Sequence, residues 1–235
     1  MITFAIEKYF LYLTLYSMIG WIYETTLCSI TQKHFVNRGF LNGPYCPIYG
    51  FGAVIVIIIL GKVNNIFILF ILSTFFTCLL EYLTSWVMEK LFHARWWDYS
   101  DKTFNLNGRI CLEGAIVFGT LSTLLIKYLH PIIIELIDKF PLWLLHSLSL
   151  SLFIILVTDT IITIRGLKIF NKTLNNITEQ MKNNEIYLSV SGFLAEHIKK
   201  TKWQEKRILL AFPKLHSLKY NDALNEIRKF IKHKK

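Results

Sequence analysis

Signatures of nucleotide and metal chemistry are missing from this chain. Neither G-x-x-x-x-G-K-[ST] nor G-x-G-x-x-G occurs, so no glycine loop cradles phosphate and nothing signals ATP or another cofactor. His-Glu-x-x-His and His-x-x-x-His are absent too, which leaves a zinc hydrolase centre unsupported, and no other catalytic motif is recognisable. The four cysteines, Cys28, Cys46, Cys78 and Cys111, are scattered without a C-x-x-C pair; neither disulfides nor a metal site are expected. No internal repeat is evident, and two inverted halves cannot be cut from an odd number of helices.

Apolar residues dominate what remains. Of 235 residues, 53% are hydrophobic and 15% aromatic, with mean hydropathy +0.42, too apolar for an ordinary soluble domain. A bilayer core of ~30 Å needs about 20 apolar residues in a helix. Five candidate segments occur: Phe4 to Ser29, Pro47 to Leu60, Ile66 to Glu89, Ile110 to Leu129, and Pro141 to Ile164. The second is short; it either borrows length from the Gly-rich approach before it or dips in without a simple crossing. The first lacks a basic n-region and a small-residue cleavage site and contains Glu24, so it reads as a retained helix and not a signal peptide.

The entire formal charge of +10 lies after Ile164, where 16 Lys or Arg face 6 Asp or Glu; the signs balance before it. With five crossings and this tail inside, 22 basic residues fall on the cytoplasmic side, leaving Lys8, Lys62, Lys127 and Lys139 outside. The bias favours a cytoplasmic C-terminus more strongly than it favours any helix count. The expected architecture is therefore an all-α polytopic transmembrane bundle of about five helices over residues 1–165. A basic helical cytoplasmic tail follows over 166–235. In the tail, Leu224, Ile227, Phe230 and Ile231 recur at helical spacing and Asn221 is placed to cap them. Two readings stand for that helix: one lies on anionic membrane lipid, the other packs as a hairpin against itself or a partner. Adjacency to a membrane makes lipid a better partner for this basicity than nucleic acid. Abundant Ile, Lys and Asn point to an AT-rich bacterial gene, hence a bacterial cell membrane.

Function is sought where polarity enters the apolar segments, because an ionisable group in hydrocarbon is costly and usually marks a pathway or site. Glu24, Glu81, Glu113 and Asp159 each fall in a different segment, all in the cytoplasmic half by helix rise, with Glu81 deepest. Glu89 is eight residues beyond Glu81, with Ser85 between them. Arg38, Arg95 and Arg109, from cytoplasmic loops, are the natural partners, since a guanidinium fork satisfies a carboxylate that water cannot reach. The cluster reads either as structural ion pairs or as a cavity whose carboxylates bind cations or protons, or whose arginines bind an anionic headgroup. The 33–52 loop, rich in Gly and Pro, is either a tight surface turn or a re-entrant, site-lining segment. Between segments three and four, Trp96, Trp97 and Tyr99 suit a membrane interface. Asp98, Asn105 and Asn107, packed among them with Arg95 and Arg109, point to a folded polar loop.

Gly20-Trp-Ile-Tyr-Glu24, the run from Arg38 through Gly52, Glu81-Tyr-Leu-Thr-Ser-Trp-Val-Met-Glu89, Arg95-Trp-Trp-Asp-Tyr-Ser100 and Asn105-Leu-Asn-Gly-Arg-Ile-Cys111 together resemble a bacterial family of small membrane proteins, the CmpB-like ABC-transporter type IV permeases. The resemblance covers about residues 5 to 165. It implies a transport component that works with a separate ATPase subunit or as a homo-oligomer. Polar and aromatic motif residues gathered at one membrane face also fit an enzyme or sensor for a lipid headgroup, using Asp98, Glu24 and Arg109, and a purely structural scaffold remains the third class.

Overall fold

The computed structural model describes residues 2–183 and 203–233; part of the basic tail, residues 184–202, lies outside the described residues. Helices α1 (Ile2–Gln32), α2 (Pro47–Leu60) and α3 (Ile66–Phe92) come first. A loop follows with three two-residue strands, β1 (Ala94–Arg95), β2 (Asn105–Leu106) and β3 (Ile110–Cys111). Then come α4 (Leu112–Leu124), a π turn (Leu125–Leu129), α5 (His130–Asp138), α6 (Leu142–Asn183), α7 (Trp203–Ala211), β4 (His216–Ser217) and α8 (Asn221–His233). Among the described residues, three stretches are long and apolar enough to cross a membrane: Ile66–Phe92, Leu112–Asp138 and Leu142–Glu179. Their large apolar side chains, among them Phe67, Ile71, Phe75, Ile132 and Ile154, face outward as lipid-facing surface requires.

Local chemistry sets the helix limits. Asn65 Oδ1 caps α3 by accepting from Phe67 N at 3.0 Å and Ile68 N at 3.2 Å. Hydropathy ended the fourth segment at Leu129, just before Pro131, yet the chain stays helical to Asp138, with a π turn over Leu125–Leu129, in which His130 N bonds to Leu125 O, placing the proline in the first turn of α5. Within that turn Lys127 Nζ donates to the carbonyls of Val63 and Asn64, at 3.0 and 3.1 Å, and closes the α2–α3 connection.

α2 begins halfway along α1. Cys46 N donates to Ser17 O at 2.9 Å, fifteen residues back from the end of α1, so the 33–46 loop returns roughly 22 Å alongside that helix before α2 starts. The loop backbone is held against α1 along this return. Val36 N bonds to Ser29 Oγ (2.9 Å) and Arg38 N to Thr25 Oγ1 (3.2 Å), while Trp21 Nε1 holds Asn37 Oδ1 at 2.7 Å. Buried Thr14 and Ser17 return their hydroxyls to the carbonyls of Phe10 and Leu13, which lets polar residues sit inside an apolar packing face.

α6 passes through Arg165 without a break for 42 residues, about 63 Å, so the expected boundary at 165/166 falls inside one helix. Its distal half, with α7 and α8, forms a core that includes Leu174, Ile177, Ile208, Phe212, Leu224 and Ile227, and Trp96 inserts into it from the loop before α4. Among the described residues, the apolar face of α8 at Leu224 and Ile227 is thus covered by protein, in line with the self-packed alternative; the side chains of Phe230 and Ile231 lie outside the described set. Asn221 does not cap this helix. Leu224 N already reaches Tyr220 O, which makes Tyr220 the half-in residue, and Asn221 Oδ1 accepts nothing. Strand β4 pairs antiparallel with β1, Ala94 opposite Ser217, and ties the tail to the loop.

The close approach of α2 to α1 rests on Gly50, where a Cβ would collide with the Leu13 carbonyl and the Ser17 hydroxyl; at Gly52 the nearest atom would be Leu80 Cδ2 at 3.5 Å. Gly50→Ala is expected to lower stability by ~1–3 kcal/mol and Gly52→Ala to be neutral or slightly stabilising, read as thermal unfolding of the detergent-solubilised protein.

Candidate functional site

At the end of the bundle carrying the loops, the acidic and basic residues sort into pairs. Glu89, near the end of α3, receives Arg109 Nη2 at 2.9 Å and Arg95 Nε at 3.1 Å, and Arg109 Nη1 also donates to Ser85 Oγ at 3.0 Å. Arg109 is buried while Glu89 and Arg95 are half-buried, so the three form a partly desolvated ion cluster. The loop that delivers both arginines is shaped by a tight turn at Asn107 and Gly108, both at positive φ, with Arg109 N bonded to Leu106 O at 3.0 Å. Trp97 Nε1 donates to Arg109 O (3.0 Å), Tyr99 N to Gly108 O (2.8 Å) and Asn107 Nδ2 to Tyr82 Oη (2.9 Å), while Asn105 Oδ1 accepts from Gly108 N at 3.0 Å. Asp98 is turned to Ser100, accepting from its N at 3.0 Å and Oγ at 2.6 Å, with Arg95 more distant at 3.8 Å.

A second group centres on Glu24. Its Oε1 accepts from Tyr49 Oη at 2.6 Å and its Oε2 faces Arg38 Nε at 3.5 Å. Arg38 also donates to the Ala211 carbonyl and lies over the Phe212 ring, 4.4 Å from its centroid. Asp159 is brought into neither group. Its carboxylate accepts from Asn42 N (3.2 Å), Asn42 Nδ2 (2.9 Å) and Gly43 N (2.8 Å), binding the returning loop backbone to α6. Arg207 of α7 completes that clamp, donating to Gly39 O at 2.8 Å and Phe40 O at 3.0 Å. Burial lowers its pKa to about 10, the charge of Asp159 opposing the shift, so it remains a cation at neutral pH. Glu113 stands apart on the first turn of α4, exposed and paired with Lys102 at 2.8 Å.

Glu81 differs from the other acids of this site. It is 5% exposed, Tyr99 Oη donates to Oε1 at a long 3.3 Å, and among the described residues no arginine or lysine reaches it and Oε2 has no hydrogen-bond partner. Tyr99, outside the spanning helices, has its hydroxyl pKa raised by burial and by the Glu81 charge, so it stays a donor. Glu81 lines a cavity of about 350 Å³ together with Glu24, Arg38, Trp97, Tyr99 and Phe212, its wall otherwise mostly apolar. A smaller void of about 80 Å³ continues toward Leu121 and Leu125, and Glu81, Ile48, Tyr49 and Phe118 border both. Tyr49 and Phe118 meet there edge to face, ring centroids 5.7 Å apart.

Sequence reasoning missed Tyr49, Asn42, Arg207 and Phe212. Nothing in composition signals them, although Asn107-Gly108 is a turn signal that locates the Arg109 hairpin. Among the described residues no group of three or more His, Cys, Asp or Glu is arranged to hold a metal ion.

A mostly α-helical chain with three helices long and apolar enough to cross a bilayer belongs to the class of membrane proteins. Residues 11–164 match the model of the family described as "Putative ABC-transporter type IV", and the chain belongs to that family. No curated protein and no solved structure matches it. Family membership and the apolar helices together fit a membrane transporter component.

The two kinds of acid separate by stability. Arg109→Gln leaves half-buried Glu89 with Arg95 alone and is expected to cost about 1–3 kcal/mol. Glu113→Gln is expected to leave the melting temperature of the solubilised protein unchanged.

Proposed function

We propose that this chain is the permease component of a transporter for a small polar or amphiphilic solute. It crosses a bacterial cell membrane five times, with its C-terminus cytoplasmic. In this reading α1 crosses whole, and the 33–46 loop and α2 together make the second crossing, the loop covering the cytoplasmic half and the helix the outer half. The observation that carries the proposal is the position of Glu81, where the larger cavity meets the smaller void beyond Tyr49 and Phe118. A carboxyl without a cationic partner at such a junction suits solute or proton binding better than helix registration, which the Glu89 and Glu24 pairs already serve.

The alternative of a lipid-headgroup enzyme or sensor draws less support. Asp98 is engaged by Ser100, Glu24 by Tyr49 and Arg38, and Arg109 by Glu89, which leaves those residues poorly placed to receive a headgroup. A scaffold would have little use for a buried acid with one oxygen unsatisfied. With no phosphate-binding loop in the sequence, energy coupling falls to a separate ATPase subunit or to assembly with further copies, and membrane lipid surrounds the spans.

Native mass spectrometry of the protein gently released from its own membrane is expected to show a stoichiometric ATPase subunit. Flux through the reconstituted assembly is expected to fall at least tenfold in Glu81→Gln while the fold is kept. Wild-type flux in that variant removes Glu81 from the path.

A further inference from the structure

We propose that the larger cavity binds a hydrophobic organic cation, an amine or quaternary ammonium compound whose charged nitrogen sits against Glu81; this rests on the cavity being the solute site of the proposed permease. The sign of the ligand follows from the charges already committed. Three charged side chains line the cavity: Glu24, Arg38 and Glu81. Arg38 is held by Glu24, by the Ala211 carbonyl and by the face of Phe212, so an incoming anion would have to displace all three to gain its only cation. Glu24 is answered by Arg38 and by the Tyr49 hydroxyl. Glu81 alone keeps an oxygen with no partner, and a buried acceptor of that kind is satisfied best by a charge-assisted contact.

The surroundings fit the rest of such a ligand. Trp97 and Tyr99 line the same cavity, and neither ring is covered by a lysine or arginine; the cation–ring contacts among the described residues are Lys8 on Phe4, Arg38 on Phe212 and Arg109 on Tyr82. Aromatic faces next to a carboxyl are the usual receptor for an ammonium group, including one without N–H donors. Trp97 is fixed by its bond to the Arg109 carbonyl, so its ring is placed before any ligand arrives. Met88 and Phe118 add apolar wall, methionine being able to adjust to varied shapes. A volume of about 350 Å³ admits a small amphiphile.

The test is equilibrium binding to the full-length protein in lipid nanodiscs, followed by quenching of tryptophan fluorescence and checked by calorimetry. Three probes of similar size are compared: benzyltrimethylammonium, its uncharged isostere neopentylbenzene, and benzenesulfonate. The wild type is expected to prefer the cation at least tenfold over both others, and Glu81→Gln to lose that preference, while exposed Glu135→Gln on α5 keeps it. Equal or tighter binding of the sulfonate, undiminished cation binding in Glu81→Gln, or no binding of any probe overturns the proposal. The probe comparison on the wild type alone decides the sign if Glu81→Gln fails to fold. Binding without flux in proteoliposomes would retain the cation site and remove the permease reading; flux of another solute without cation binding would do the reverse.

Discussion

Everything at the loop-bearing end of this molecule depends on satisfying the peptide groups of the irregular segment that returns alongside α1. Backbone outside a helix has no partners of its own, and away from water each unpaired group carries a substantial cost. The chain answers from three directions. α1 supplies the hydroxyls of Ser29 and Thr25 and the carbonyl of Ser17; α6 supplies the carboxylate of Asp159; α7 supplies the guanidinium of Arg207. Because these donors and acceptors are far apart in sequence, the loop, the long sixth helix and the tail are bound into one body. The cavity exists because α2 starts halfway along α1, leaving the other half of that space to the loop.

The same accounting ranks the acids. Glu89 has two arginines, Glu24 an arginine and a phenol, and Asp159 two backbone amides and an asparagine side chain; each has exchanged water for protein partners. Such groups hold elements in place, and breaking them is felt as lost stability. Glu81 has only a long contact from Tyr99 and stands where two cavities join. A group left short of partners in a rigid surround is one whose partner comes from elsewhere.

Much of this was legible before the fold was known, and the rest was hidden for definable reasons. Hydropathy located the starts of the apolar helices to within a few residues but missed two ends, at Pro131, where the helix runs on past a π turn, and at Arg165, where α6 continues to Asn183. Which arginine meets which acid came only from the fold, but counting helix rise named Arg38, Arg95 and Arg109 together as partners for the acids, because depth along a helix is readable from sequence. The direction a side chain takes around the helix is not, and so Glu113, at nearly the right depth, points outward to Lys102. Depth also put Asp159 near the loops while leaving its partner, the backbone of another segment, invisible. In the tail, apolar spacing identified a face at Leu224 and Ile227, but periodicity cannot say whether lipid or protein covers it; the answer came from α6 and Trp96.

Arginine use explains why the site has one sign although the chain carries a net charge of +10. A surplus of basic residues would suggest an anion-binding protein, yet the surplus lies after Ile164, and the tail arginine nearest the loop, Arg207, is spent on backbone carbonyls. Of the three loop arginines, Arg95 and Arg109 close on Glu89 and Arg38 on Glu24. Net charge therefore says nothing of how the interior is charged. Inside, the residue that decides what can bind is the one whose charge no neighbour cancels. That residue is an acid, flanked by Trp97 and Tyr99, and its preference is for a positive centre with an apolar body.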